Sequence, residues 1–256
     1  MNIFANLKYG LIIAAILGAA MANAAGDAKK PNQHDWPFAG PFGKFDRQAA
    51  QRGYQVYREV CSSCHGVKRI AYRNLAALGF SEGEIRTIAG DAIVTDGPNA
   101  DGDMFERPGL PTDYMLAPFA NENAGRAANN GKYPPDLSLM AKARPDGANY
   151  IHSLLTGYEA TPSGVNMPDG VYYNPYYPGY AIAMAAPLHS EGQVEYADGT
   201  KATIAQMSYD LVNFLQWAAE PENEARNSMG IQTMLYLFII TFLFYRFYKR
   251  TWLDNK

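Results

Sequence analysis

Apolar positions recur with helical spacing in several stretches of the chain. Tyr54, Tyr57 and Val60 share one face, and Asp46 stands where an N-cap belongs, so a helix is expected over residues 47–60. Gly53 within it offers room for close approach by another helix. Shorter helices are expected around Glu82 to Ile88 and over Asn149 to Thr156, the latter stopped by Gly157. Ile204, Met207, Leu211, Phe214, Leu215 and Ala218 line one face of a long helix that ends near Glu220-Pro221. The stretches between follow other patterns. Residues 25–45, with Trp36-Pro37-Phe38 and Gly40-Pro41-Phe42-Gly43, read as an extended arm packed on the domain. Residues 90–145 are rich in Gly, Pro, Asn and Asp and read as long loops with short helices. The run Tyr172 to Tyr180, broken by Pro175 and Pro178, cannot be regular helix. Gln193 to Thr203, with Asp198-Gly199, predicts a short hairpin. No internal repeat is visible.

The two ends stand apart from this pattern. Lys8, the apolar run Leu11 to Ala20 and the small residues of Ala22-Asn23-Ala24 read as a secretory signal over residues 1–24, with the mature chain starting near Ala25. Met229 to Tyr245 holds no charged residue, and Phe247, Tyr248 and Trp252 extend it into a headgroup layer. Arg246, Lys249 and Arg250 follow, so the positive-inside rule places the C-terminus in the cytoplasm. The expected organisation is a periplasmic domain over residues 25–228, a membrane anchor over 229–248 and a cytoplasmic tail over 249–256. Glu222 to Ser228 reads as a short polar linker. The chain is thus expected in a bacterial inner membrane, as a single-pass protein.

Composition adds two constraints. With 48% hydrophobic and 18% charged residues in 256, a packed core is expected. Setting aside Lys8 and the tail after Tyr245, which carries +3, turns the net −3 of the chain into −7 for the exported part. An acidic domain argues against nucleic acid, which needs basic surface, and suits a basic protein partner.

The chain has 2 cysteines, and both lie in Cys61-Ser62-Ser63-Cys64-His65. A lone Cys-x-x-Cys serves disulfide chemistry in some proteins, and structural zinc usually needs four ligands. The histidine next to Cys64 decides between these: two thiols at this spacing add to the vinyl groups of a haem, and the adjacent imidazole becomes its proximal ligand. His65 is therefore a predicted iron ligand. The second axial ligand is open on local grounds. His34, His152 and His189 are candidates, as are Met104, Met115, Met140, Met167, Met184 and Met207. Met140 and Met207 fall in helical stretches and read as core. Met167-Pro168 lies in a loop, and Met184 lies among small residues before Pro187, so the residues leave these two level.

The ordered set of motifs resembles the cytochrome c1 family in its bacterial form. The resemblance rests on Trp36-Pro37-Phe38-Ala39-Gly40-Pro41-Phe42-Gly43, on the Cys61 to His65 run and on Arg126-Ala127-Ala128-Asn129-Asn130-Gly131 with Pro134-Pro135-Asp136-Leu137-Ser138. It continues through Ser153-Leu154-Leu155-Thr156-Gly157-Tyr158, Asn174-Pro175-Tyr176, Ala183-Met184-Ala185 and Phe214-Leu215-Gln216-Trp217-Ala218-Ala219-Glu220-Pro221. It implies a mostly α fold, a class I cytochrome c core with long loop insertions plus one C-terminal transmembrane helix. It implies one covalent haem c held by Cys61, Cys64 and His65, with Met184 as the axial methionine. It also implies that Arg126 lies by a haem propionate, with Tyr133 assisting. The implied role is electron transfer within ubiquinol–cytochrome c oxidoreductase, beside cytochrome b, from a Rieske iron–sulfur protein to a soluble or tethered cytochrome c. The subunit itself makes and breaks no substrate bonds. Glu82, Glu84, Asp101, Asp103 and Glu106 are candidates for docking a basic cytochrome c. The extra cysteine pair of some bacterial members is missing, so packing alone is expected to brace the methionine-bearing loop. A membrane-anchored cytochrome c serving a terminal oxidase, or a thiol-handling assembly protein, would be the competing readings.

Overall fold

The computed structural model describes residues 28–253, so the expected signal segment lies outside the described residues. Within them the chain is mostly helical, as expected for a cytochrome c core with insertions. Helix α1 spans Arg47–Val56, and Asp46 caps it by accepting a hydrogen bond from the Ala49 amide at 3.0 Å. The helix does not stay regular to Val60 as the spacing predicts: Tyr57–Cys61 forms a π-helical turn. A 3-10 segment, Tyr72–Leu78, and α2, Glu82–Gly90, follow. Next come α3, Glu122–Ala128, the single turn α4, Met140–Ala143, and α5, Gly147–Thr156. Helix α6 spans Ile204–Ala219 and α7 spans Asn223–Leu253.

The core forms where α1 and α5 pack against α6. Phe214, Trp217, Met207 and Leu75 are all buried at its centre. Gly53 makes the α1–α6 crossing possible, since a Cβ there would lie 1.9 Å from the Asp210 carbonyl oxygen. Next to it in α1, Arg52 grips the fully buried Asp210 with two hydrogen bonds of 2.9 Å. A third bond, to Asp198, brings in the loop after residue 193. That loop is not the expected hairpin. Its ends meet through Gly192 N–H and the Ala202 carbonyl at 2.8 Å, with turns but no paired strands between.

Strand pairing instead occurs inside the long insertions. Ile93–Asp96 (β1) and Phe105–Pro108 (β2) form an antiparallel hairpin, which the polar, Gly-rich composition of residues 90–145 hid. Tyr172–Tyr173 (β3) pairs with Ala181–Ile182 (β4), opposing Tyr172 to Ile182 and Tyr173 to Ala181. The N-terminal arm lies along α5, as expected. Trp36 Nε1–H donates to Asn149 Oδ1 at 2.7 Å, and the indole stacks between Phe38 and Tyr209.

The expected linker at 222–228 is also corrected. Asn223 starts a helix of 31 residues that runs through the apolar stretch without a break, about 46 Å at about 1.5 Å per residue. That length crosses a hydrocarbon core of about 30 Å with turns to spare. Its first turn is fastened to the domain. Glu224 accepts from the Phe45 amide at 2.7 Å and pairs with Arg47 at 2.9 Å, while Asn227 donates to the Gly40 carbonyl at 3.2 Å.

Candidate haem site

The π turn brings α1 to the motif. The Ser62 amide donates to the Tyr57 carbonyl five residues back, and the His65 amide then donates to the Cys61 carbonyl, each at 2.8 Å. Inserted turns of this kind re-phase a helix by one residue and recur at functional sites. Cys61 is buried and Cys64 half-buried, and both are free thiols. Burial pushes the Cys61 thiol up to about 12, which suits a thiol destined for a thioether and not an exchange-active thiolate.

His65 is fixed from two sides. Its Nδ1 lies 2.7 Å from the Pro135 carbonyl oxygen. A carbonyl only accepts, so Nδ1 carries the hydrogen and Nε2 keeps its lone pair for a metal. Burial lowers the imidazole pKa and keeps the ring neutral, as a ligand must be. The Tyr57 hydroxyl donates to the His65 carbonyl at 3.0 Å. Pro135 is itself held in place. Leu137 N–H donates to the Gly66 carbonyl at 2.8 Å, and Lys68 N–H donates to Asp136 at 3.0 Å. Two thiols and one presented imidazole are the attachment set of a c-type haem.

Met184 follows β4 directly and packs, half-buried, against the main core cluster that includes Cys61. Met167 is not part of that cluster. Met207 is fully buried in it, as expected for core. His152 is buried against His34 and Trp36 at the arm, and His189 is exposed. The Met184 segment is braced by more than packing, contrary to expectation. The Tyr158 hydroxyl donates to the Met184 carbonyl at 2.9 Å, and Gln193 Nε2 donates to the Pro187 carbonyl at 2.9 Å. The tyrosine-rich run is fastened by Asn174, which is fully buried and donates from Nδ2 to the Leu154 carbonyl at 2.8 Å. Tyr176 closes over Gly157, where a Cβ would come within 2.4 Å of the ring.

Arg126 is engaged within its own helix region. Its guanidinium donates to Glu122 at 3.0 Å from Nε and to the Gly131 carbonyl at 3.0 Å. Tyr133 lies half-buried over Gly125, whose added Cβ would sit 2.6 Å from the ring. Arg144 has a different setting that sequence reasoning missed. It touches the Ala143 carbonyl and the Tyr150 hydroxyl, and forms no ion pair among the described residues. Tyr150 in turn neighbours Tyr158. No sequence signal set Arg144 apart, because its neighbour Tyr150 comes from α5. Of the candidate docking carboxylates, all are exposed. Glu84 caps α2 through Ser81 and Glu82 pairs with Arg86, while Asp101, Asp103 and Glu106 stand on the β1–β2 hairpin.

The sequence pattern of the Cytochrome C1 family matches residues 36–255. The chain belongs to this family. Cytochrome c1 of Rhodospirillum rubrum is 46% identical over 96% of this chain and 95% of its own length. Cytochrome b/c1 of Bradyrhizobium diazoefficiens is 48% identical over 96% of this chain, which spans 39% of that longer protein. The mitochondrial cytochrome b-c1 complex catalytic subunit of Candida albicans is 47% identical over 84% of this chain and 74% of its own length. As a member of the family the chain is an electron-transfer protein with one covalent haem c, and the Cys61, Cys64 and His65 geometry fits that group.

Proposed function

We propose that the chain is the haem-bearing subunit of a ubiquinol–cytochrome c oxidoreductase. In this reading it takes electrons from a Rieske iron–sulfur protein and gives them to a soluble or tethered cytochrome c, in a respiratory or photosynthetic chain. The observation that carries the reading is His65, whose Nδ1–H is fixed on Pro135 so that Nε2 is presented beside the two thiols. When bound, haem c supplies a one-electron couple at its iron. The protein's part is to hold the iron between His65 and Met184, keep water from it and keep both ligands still during transfer. A cytochrome b partner is supported by the relatives, one named cytochrome b/c1 and one a catalytic subunit of a cytochrome b-c1 complex.

The anchor argues for a fixed station. A tethered shuttle needs a flexible linker to swing between partners. Here α7 begins inside the domain and its first turn is clamped by Glu224 and Asn227. A fixed haem in turn needs a mobile donor and acceptor. The basic residues Arg246, Lys249 and Arg250 support, by the positive-inside rule, an orientation with the end of α7 in the cytoplasm and the haem domain in the periplasm. Residues 1–24 act as the export signal in this reading, with 25–228 periplasmic and 229–248 in the membrane.

For the propionate contact we keep Arg126 with Tyr133, and Arg144, which touches the Tyr150 hydroxyl, is a second candidate. The Arg126–Glu122 pair is an exposed i,i+4 pair, held too weakly to keep the guanidinium from a second carboxylate. Removing a positive charge beside the haem stabilises the ferric state. Arg126→Gln is therefore expected to lower the midpoint potential more than Arg144→Gln, read by redox titration. The wider reading is tested by mild detergent purification of the tagged chain. A red protein with cytochrome b and a Rieske protein, and quinol-dependent reduction of cytochrome c, is expected. A red protein alone or with oxidase subunits would reject the complex.

A further inference from the structure

We infer that Tyr158 is a positioning residue for the axial ligand: its hydroxyl fixes the peptide that carries the Met184 thioether. The inference rests on the reading that Met184 ligates the iron. Tyr158 emerges just past the end of α5, a helix held against α6 in the core. Gly157 sets the exit, because any side chain there would collide with the Tyr176 ring and the Ser153 carbonyl. From that fixed base the hydroxyl reaches across 26 positions of sequence to the Met184 carbonyl, at 2.9 Å. The contact is to the backbone of the ligand residue itself, and the other ties flank it. The β3–β4 pair ends at Ile182, and the Gln193 bond falls on Pro187.

The chemistry of the ligand makes this contact matter. A thioether is a neutral, soft donor, and it holds ferric iron less firmly than ferrous iron. Its occupancy in the ferric state therefore depends on how closely the chain confines it. Both cysteines of the chain lie in the haem-attachment motif, so no disulfide braces the 183–188 segment. The Tyr158 hydroxyl, from the rigid side of the site, braces the ligand residue itself, and Gln193 braces the segment farther on, at Pro187.

The test uses the full chain in its native membrane, with haem attached. Carbon monoxide binds ferrous haem when the methionine lets go, and a midpoint titration reports how much more firmly the thioether holds ferrous than ferric iron. Tyr158→Phe keeps the ring and removes the donor. It is expected to bind carbon monoxide at least tenfold faster than wild type. It is also expected to lower the potential, by about 59 mV if retention of the thioether by ferrous iron falls tenfold more than its retention by ferric iron. Tyr172→Phe, which removes an exposed hydroxyl nearby, is expected to match wild type in both. Tyr158→Phe matching wild type in both would overturn the inference while leaving Met184 as ligand. Met184→Leu matching wild type would instead overturn the ligand reading and the inference with it. If Tyr158→Phe yields no haem protein, 3-fluorotyrosine at position 158 decides. It is a stronger donor of the same shape, slower carbon monoxide binding is expected, and an unchanged rate would overturn the inference.

Discussion

His152 carries its buried imidazole at 7% exposure, with the His34 ring 4.1 Å away and its own Nδ1 without a hydrogen-bond partner. Burial, then the His34 charge, lower its pKa from 6.5 to about 4, while the Ala205 carbonyl works weakly the other way. The unfolded chain takes up a proton at this residue between pH 6.5 and about 4, and the native chain does not. Stability from this residue is thus complete above pH 6.5 and is lost as pH falls through that window. The thermal midpoint of wild type is expected to fall more steeply from pH 6.5 to 4 than that of His152→Gln. Equal slopes would show that the ring is protonated in the native protein. Legibility at this scale follows contiguity. Cys61, Cys64 and His65 could be read because the chemistry needs them side by side. Pro135, Arg144 and Tyr158 could not, since their partners lie far off in sequence and only the fold joins them.

Helix α1 was legible from its cap and its apolar face, and Gly53 foretold the crossing with α6. Gly53→Ala puts a methyl where a backbone oxygen already stands. It is expected to cost about 1–3 kcal/mol or more, with the thermal midpoint falling accordingly. A midpoint equal to wild type would mean that the two helices separate without loss. What periodicity missed was the irregular backbone. The π turn at Tyr57–Cys61 depends on a single added residue, which leaves the apolar spacing unchanged over so short a stretch. The β1–β2 hairpin escaped notice because its residues are largely exposed, so no buried face imposed an alternating pattern. The failed hairpin at 193–203 shows the converse. A turn sequence at Asp198-Gly199 was present, but Arg52 draws Asp198 toward α1 instead of toward a partner strand.

At the scale of the whole molecule the decisive element is α7, read correctly as apolar and wrongly as preceded by a linker over 222–228. Polar residues 223–228 suggested a linker, but their side chains form the clamp: Glu224 on Phe45 and Arg47, Arg226 on Glu220, Asn227 on Gly40. Glu224→Ala removes the centre of that clamp. Amide hydrogen exchange at 223–228 is expected to quicken while haem attachment stays complete. Unchanged exchange would mean that the remaining contacts suffice. A domain bolted to its anchor inherits the anchor's lean. Membrane helices tilt by about 20° on average, and a thinner bilayer makes them lean further. Each point on the domain is then carried sideways in proportion to its height above the lipid. Lipid composition thereby sets the landing place that a travelling electron donor has to find.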